Sequence, residues 1–278
     1  MSGIIDIGTI APSILVLGAG GDIGRGVVQA LLDAGRPVLA VDADAAALEA
    51  LRGQHPRARL TTLAAVIASD ADAARLAASV RAHDGEIAGV VASIAGRHDC
   101  ARLLDQPADA LRRTLDEELM PQLFAARHLL PLLRKDAASG YVLIGGPGGD
   151  YPWAGYGHCS IAAAALRMMV RVLHDEAAGE GVRVQLLALD APVQTDANAT
   201  QAGSAWPKAI AIGRRALALL DAGRSPVMPV VGFRTEIPAP TTPRGRAPAR
   251  DLRDARALLA SICALPPLLS GPLPHETP

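Results

Sequence analysis

Gly18, Gly21 and Gly24, followed by Asp42, are the residues whose types and spacing point most directly to chemistry. The run Ile14-Leu-Val-Leu-Gly18-Ala-Gly20-Gly21-Asp22-Ile23-Gly24-Arg25 passes from an apolar stretch into one with helical spacing. A backbone without Cβ atoms turns tightly there and lets a pyrophosphate reach the N-terminus of a helix. Asp42 ends the second apolar stretch, where a carboxylate accepts hydrogen bonds from ribose hydroxyls and repels a 2′-phosphate. Neither Gly21 nor Ala43, which flank the expected ribose site, brings a positive charge, and Arg25 lies further into the helix. A dinucleotide is expected, with NAD(H) preferred over NADP(H). Glycines alone are weak evidence; the strand before them, the helix after them and Asp42 supply the required context.

A second concentration of chemistry lies near the middle. Aromatic residues make up only 3% of the chain, yet Tyr151, Trp153 and Tyr156 fall within six positions. They are expected to wall a pocket. Lysine occurs only at Lys135 and Lys208, so arginine carries nearly all the positive charge.

The elements that must position these residues alternate in type. Apolar, β-branched runs at Ser13–Leu17, Pro37–Val41, Gly89–Ser93, Tyr141–Ile144 and Val182–Leu187 read as strands. Helical spacing covers Asp22–Ala34, Ala43–Arg52, Asp70–Ala82, Ala108–Arg134 and Gly157–Gly179. A helix near Trp206–Ala222 precedes a last apolar run at Val227–Val231. This βαβ alternation predicts an α/β fold: a Rossmann-type doubly wound parallel sheet of about seven strands in three α/β/α layers. Residues 1–235 form the dinucleotide-binding domain. Residues 236–278 are expected to be a Pro-rich linker, a short helix at Asp251–Ala264 and a loose tail.

Composition excludes several classes. Half the residues are hydrophobic and the formal net charge is -1, which leaves no basic surface for nucleic acid. No long uninterrupted apolar stretch suggests a membrane span. Cys100, Cys159 and Cys263 share no metal-ligand spacing, and three thiols fit a reducing compartment better than a disulfide framework. A soluble, cytoplasmic protein is expected, with no nucleic-acid or membrane partner.

Taken in order, these motifs resemble the short-chain dehydrogenase/reductase (SDR) family over about Ser13 to Ala222. Leu17–Gly24 resembles the family's Thr-Gly-x-x-x-Gly-x-Gly loop, with Asp22 where a glycine usually stands. Ser93-Ile94-Ala95-Gly96 resembles its Asn-Asn-Ala-Gly segment, both asparagines being lost. Arg183–Thr195 resembles the sixth strand and its following turn, with Leu189-Asp190 in place of Pro-Gly. The resemblance implies a cofactor held by Gly18, Gly20, Gly21, Asp22, Ile23, Gly24, Asp42, Ala95, Gly96 and Thr195.

It also implies a catalytic set from which most members are missing. Tyr156 takes the tyrosine position, Ser160 the lysine position and Glu118 the asparagine position, while no Ser or Thr between Ser139 and Ser160 can take the serine position. A free tyrosine titrates near pH ~10 and needs a nearby cation to act as a base at neutral pH. Tyr156 is therefore expected to serve as a neutral hydrogen-bond donor, and a lysine introduced at 160 to lower its pKa. Glu118 is a candidate acid or base from the long helix, with a solvated helix glutamate as the plain alternative. Asp150, His158, Arg97, His98, Cys159 and Trp206 are lesser candidates, each with a structural explanation at least as good.

Two functions remain open. One is an NAD(H)-binding oxidoreductase acting on a small carbonyl or alcohol through a non-standard active site. The other is a non-redox relative: a catalytically silent partner subunit, or a cyclase, dehydratase or isomerase. Surplus apolar residues on Ala108–Arg134 (Leu129, Leu130, Leu132, Leu133) and Gly157–Gly179 (Met168, Met169, Val170, Val172) predict a homodimer or homotetramer, or a heteromer with an intact homologue.

Overall fold

The computed structural model describes residues 12–233, apart from 84–85, 97–99, 134–138, 154, 196–197, 201, 204–205 and 224–227. The expected linker, short helix and tail after residue 235 lie outside the described residues, as do Arg97 and His98.

Seven strands form one parallel sheet in the order β3-β2-β1-β4-β5-β6-β7. They are β1 (Ser13–Leu17), β2 (Val38–Asp42), β3 (Leu60–Ala64), β4 (Ile87–Ala92), β5 (Gly140–Gly145), β6 (Arg183–Leu189) and β7 (Val230–Phe233). The helices are α1 (Asp22–Asp33), α2 (Ala45–Gln54), α3 (Asp70–Ala82), α4 (Ala110–Thr114), α5 (Met120–Leu129), α6 (Gly157–Ala178) and α7 (Ala209–Leu220). Because side chains alternate along a strand, β1 feeds both faces of the sheet. Leu15 and Leu17 pack with Leu76, Ala125, Leu129 and Val170 beneath α3, α5 and α6. Ile14 and Val16 pack with Val27, Leu48 and Ile212 beneath α1, α2 and α7. The three-layer architecture is the one expected.

Contact between α1 and α7 is close because both carry glycine at the crossing. A Cβ on Gly26 would meet Ala209 backbone carbon at 2.4 Å, and one on Gly213 would meet Gly26 carbonyl oxygen at 2.6 Å. The α7 helix is thereby held on the face opposite α6. It begins at Ala209 rather than at Trp206, after Pro207.

Two elements differ from the expectation. β3 was not among the segments expected to be strands: its side chains are all partly or fully exposed, as befits the edge of the sheet. The single helix expected over Ala108–Arg134 is broken, with α4 passing into a π-turn at Leu115–Leu119, then α5, then a 3₁₀ turn at Leu130–Leu132. Pro121 explains the first break, since it has no N–H to donate to the Glu117 carbonyl four residues back. Pro131 sits in the second.

Candidate active site

The strand order reverses between β1 and β4, and a crevice opens beyond the carboxyl ends of the strands there. A cleft of about 870 Å³ occupies it, lined by Gly18, Gly20, Gly21, Asp22 and Ile23, by Asp42 and Asp44, and by Ser93–Gly96. Thr195 and Val193 close the far end. Gly18 has φ of +71°, and a Cβ there would lie 2.2 Å from the Ser93 carbonyl oxygen. On Gly24 it would lie 1.9 Å from the Gly18 carbonyl oxygen. The loop is therefore a backbone cradle that only glycine fits. The start of α1 carries no side-chain cap, so its first-turn N–H groups are donors for an anion.

Asp42 is built into this cradle. Its Oδ2 accepts from the Gly20 N–H at 2.8 Å and its Oδ1 from the Asp44 N–H at 2.9 Å. Each carboxylate oxygen keeps a second lone pair for a ribose hydroxyl. Asp44 caps α2, accepting from the N–H groups of Ala46 and Ala47. Arg25 does not reach outward: it pairs with Asp22 and donates to the Gly20 carbonyl at 2.6 Å. The charged residues lining the cleft are thus Asp22, Asp42, Asp44, Asp116 and Glu117, with no basic side chain among the described ones. The last turn is pinned by Asn198, which accepts from the Thr195 N–H at 2.7 Å and donates to the Val193 carbonyl at 3.0 Å.

A second cavity, of about 220 Å³, adjoins the first, and Ile23, Ser93, Ile94 and Ala95 line both. It contains all three residues picked out from the catalytic positions: Tyr156, Ser160 and Glu118. Their placement differs in kind. Tyr156 caps α6, and its ring meets that of Trp153 edge-on, with centroids 6.4 Å apart and planes at 70°. Glu118 comes from the π-turn and accepts from the Gly96 N–H at 3.2 Å. That turn aims Asp116 and Glu117 at the cleft and Glu118 at the inner cavity. Widened turns of this kind are frequent at functional sites.

Ser160 is committed elsewhere. Its Oγ accepts from the Trp153 N–H and donates to the Tyr156 carbonyl, both at 3.0 Å, and a Cβ on Gly148 would come within 2.8 Å of it. The hydroxyl ties the aromatic loop to α6. Asp150 likewise pairs with the largely buried Arg167 at 3.0 Å and is absent from the cavity lining. His158 is buried and Trp206 half-buried, and neither lines either cavity. Among the described residues Cys159 is a free, half-buried thiol, and Cys263 lies outside the described residues. Among the described residues no group of three or more His, Cys, Asp or Glu is placed to hold a metal, and no helix is long and apolar enough to cross a membrane.

Cys159 lines the inner cavity beside Glu118. Burial, and then the Glu118 negative charge, push its thiol up to about 12. Since the thiolate is the nucleophile, alkylation of Cys159 by iodoacetamide at pH 8 is expected to run roughly 10³-fold slower than that of an exposed cysteine. Mass spectrometry of the peptide carrying Cys159 reads this directly. Labelling at the rate of a free thiol would show that the cavity does not shield the sulfur.

Residues 18–218 match the family model described as enoyl-(acyl carrier protein) reductase. No curated protein matches the chain. Among solved structures, a short-chain type dehydrogenase/reductase from Mycobacterium ulcerans superposes with a TM-score of 0.71 at 21% identity, covering 81% of this chain and 88% of that one. A short-chain oxidoreductase from Pseudomonas aeruginosa containing an atypical catalytic center gives 0.71 at 21% identity, over 80% and 95%. A metagenomic short-chain oxidoreductase in complex with NADP gives 0.69 at 16% identity, over 82% and 99%. With its parallel sheet, its glycine cradle and a family-model match over most of its length, the chain belongs to the short-chain dehydrogenase/reductase family.

Proposed function

We propose that the protein is an NAD(H)-dependent oxidoreductase acting on a small substrate through a non-standard active site. The observation that carries this reading is the joining of the glycine cradle to the inner cavity. The cleft that Gly18, Gly24 and Asp42 shape for a dinucleotide opens directly onto Tyr156 and Glu118. A bound nicotinamide supplies hydride chemistry. The chain's own residues bind and orient: the α1 N–H groups face the pyrophosphate, Asp42 the adenosine ribose, and Ala95, Gly96 and Thr195 the nicotinamide end. Tyr156 offers its hydroxyl hydrogen to a substrate heteroatom, and Glu118 is the acid or base within reach of the same cavity.

The acidic lining favours NAD(H). A 2′-phosphate beside Asp42 would meet that carboxylate and Asp44 with no described cation to answer it. Two like charges 4 Å apart repel by about 1 kcal/mol even in bulk water, and by more near a protein surface. Calorimetry is expected to give NADH at least a tenfold lower Kd than NADPH, a difference of about 1.4 kcal/mol. Equal or tighter NADPH binding would overturn the preference. Binding of neither would favour the second reading, a catalytically silent subunit. The commitment of Ser160 to the backbone supports that alternative.

Oligomerisation belongs to the same proposal. Of the apolar residues read as surplus, Leu129, Leu133 and Val170 are buried in the core, but Met168 and Val172 remain 57% and 47% exposed. With Ile161 they form one stripe along α6, and Leu123 is exposed on α5. Light scattering is expected to show a dimer or tetramer at micromolar concentration, and a monomer there would exclude both.

A further inference from the structure

Three hydroxyl-bearing side chains line the inner cavity: Ser93, Tyr156 and Ser160. Ser160 spends its hydroxyl within the fold, on the Tyr156 carbonyl and the Trp153 N–H. Tyr156 brings its hydroxyl from the start of α6, and Ser93 from the position directly after β4. Ser93 stands apart because it lines the dinucleotide cleft as well. Four described residues line both cavities, and the other three, Ile23, Ile94 and Ala95, are apolar. Ser93 is therefore the polar side chain at the junction, where a nicotinamide in the cleft would meet a substrate in the cavity. The family resemblance placed an asparagine there and gave Ser93 no role.

The backbone that carries Ser93 is fixed on every side. Its N–H donates to the Leu17 carbonyl at 3.0 Å, and its own carbonyl packs against Gly18, where an added Cβ would lie 2.2 Å away. The next carbonyl, of Ile94, accepts from the buried Gln122 side chain at 3.2 Å, and the Gly96 N–H donates to Glu118 at 3.2 Å. A serine on such a support has one side-chain torsion left to order, so its hydroxyl binds at little entropic cost. We propose that Ser93 is a further catalytic residue, and that its hydroxyl and that of Tyr156 together hold the oxygen of a compact, neutral carbonyl substrate. The proposal rests on the oxidoreductase reading for its reaction but not for its binding. In reduction the carbonyl carbon gains a hydride from reduced nicotinamide, forming a C–H bond. The C=O π pair passes to oxygen, which takes a proton supplied by water, and an alcohol and the oxidised pyridinium result. Both hydroxyls donate to the oxygen as its charge develops, when fixed donors are worth most. Ile94, Ile144, Ala162 and Leu166 offer the hydrocarbon part an apolar wall. The volume, about 220 Å³, lies below the roughly 300 Å³ at which drug-sized sites begin, which points to a compact ring with short substituents.

The test uses cyclohexanone, isotopically labelled at its carbonyl carbon, on the intact protein. Calorimetry is expected to show Ser93→Ala binding it about three- to tenfold more weakly than the parent, the range of one neutral hydrogen bond. Tyr156→Phe should lose a similar factor, and Ser93→Thr, which keeps the hydroxyl, should stay within threefold of the parent. Infrared spectra of the bound ketone give a signature that a merely structural role would not move. The C=O stretch should rise in Ser93→Ala, as one donor is lost, and remain low in Ser93→Thr. Parent-like affinity and frequency in Ser93→Ala, an equal loss in Ser93→Thr, or no cyclohexanone binding at millimolar concentration would each overturn the proposal. NADH binding, measured separately by its fluorescence, keeps the two ideas apart and is expected to change less than twofold in Ser93→Ala. A Ser93→Ala protein that loses NADH but keeps the ketone would mean that the hydroxyl serves the cofactor, which overturns the proposal alone. Hydroxyl-dependent ketone binding in a protein that binds no NADH removes the oxidoreductase reading alone.

Discussion

Replacing Gly24 with alanine is expected to destroy dinucleotide binding and to lower the thermal midpoint by roughly 4–8 °C. The added Cβ would lie 1.9 Å from the Gly18 carbonyl oxygen and 2.8 Å from Ala19 Cα. Both are backbone, and Gly18 is itself held against Ser93, so the turn has no flexible group to move aside. Overpacking of this kind costs about 1–3 kcal/mol, and in a helix alanine returns only about 1 kcal/mol of propensity over glycine. The contact is at the severe end, and at this chain length each kcal/mol corresponds to about 2–4 °C. Opening the cradle should also weaken NADH by more than ~100-fold, about 2.7 kcal/mol. Gly21→Ala separates fold from site. Its φ is -72°, which any residue adopts, and the nearest atom to an added Cβ is 3.5 Å away. That variant should melt within a degree or two of the parent while still binding NADH less well, because the methyl group projects where the pyrophosphate approaches. A Gly24→Ala protein that keeps its midpoint and its affinity would show that the loop is not a cradle.

Gly18 and Gly24 could be read from the sequence because each stands for a backbone demand that no other residue meets. The same holds for β1, α1 and α3, whose apolar patterns are uninterrupted and whose bounds agree with the expectation to within a residue. β3 was hidden because an edge strand buries little, and Leu60-Thr-Thr-Leu-Ala lacks the continuous apolar run of the central strands. The π-turn left a signal that apolar periodicity outweighed. A proline at 121 within a long helical span removes a hydrogen bond, and the turn that absorbs it is the one presenting Asp116, Glu117 and Glu118. Of these three the family resemblance picked out only Glu118. No local pattern could reveal that Ser160 binds Trp153 across a loop, or that Arg167 anchors Asp150, since both depend on where a glycine-rich segment folds back. Asp44 could have been anticipated: an Asp before an Ala/Leu helical run is an N-cap signal, and it adds a second carboxylate beside Asp42.

The hydroxyl of Tyr156 gives the last expected result. If turnover needs a hydrogen bond to a carbonyl oxygen, Tyr156→Phe should lower kcat by roughly 10–10²-fold, the worth of one good donor at about 1.5–3 kcal/mol. Ser160→Lys is expected to fail as a rescue, contrary to what the sequence alone suggests. It removes the hydroxyl that accepts from Trp153 and donates to Tyr156, and it forces a long side chain against Gly148. Two hydrogen bonds at about 1 kcal/mol each set the scale of the stability loss. The aromatic wall of the cavity should loosen with it, which a change in the near-ultraviolet circular dichroism of Trp153 would report. A gain in activity and an acid-shifted pH optimum in Ser160→Lys would mean that the lysine reaches Tyr156 after all. In that event the loop held by Ser160 is replaceable, and the site is an ordinary family active site with one residue missing rather than one rebuilt around Glu118.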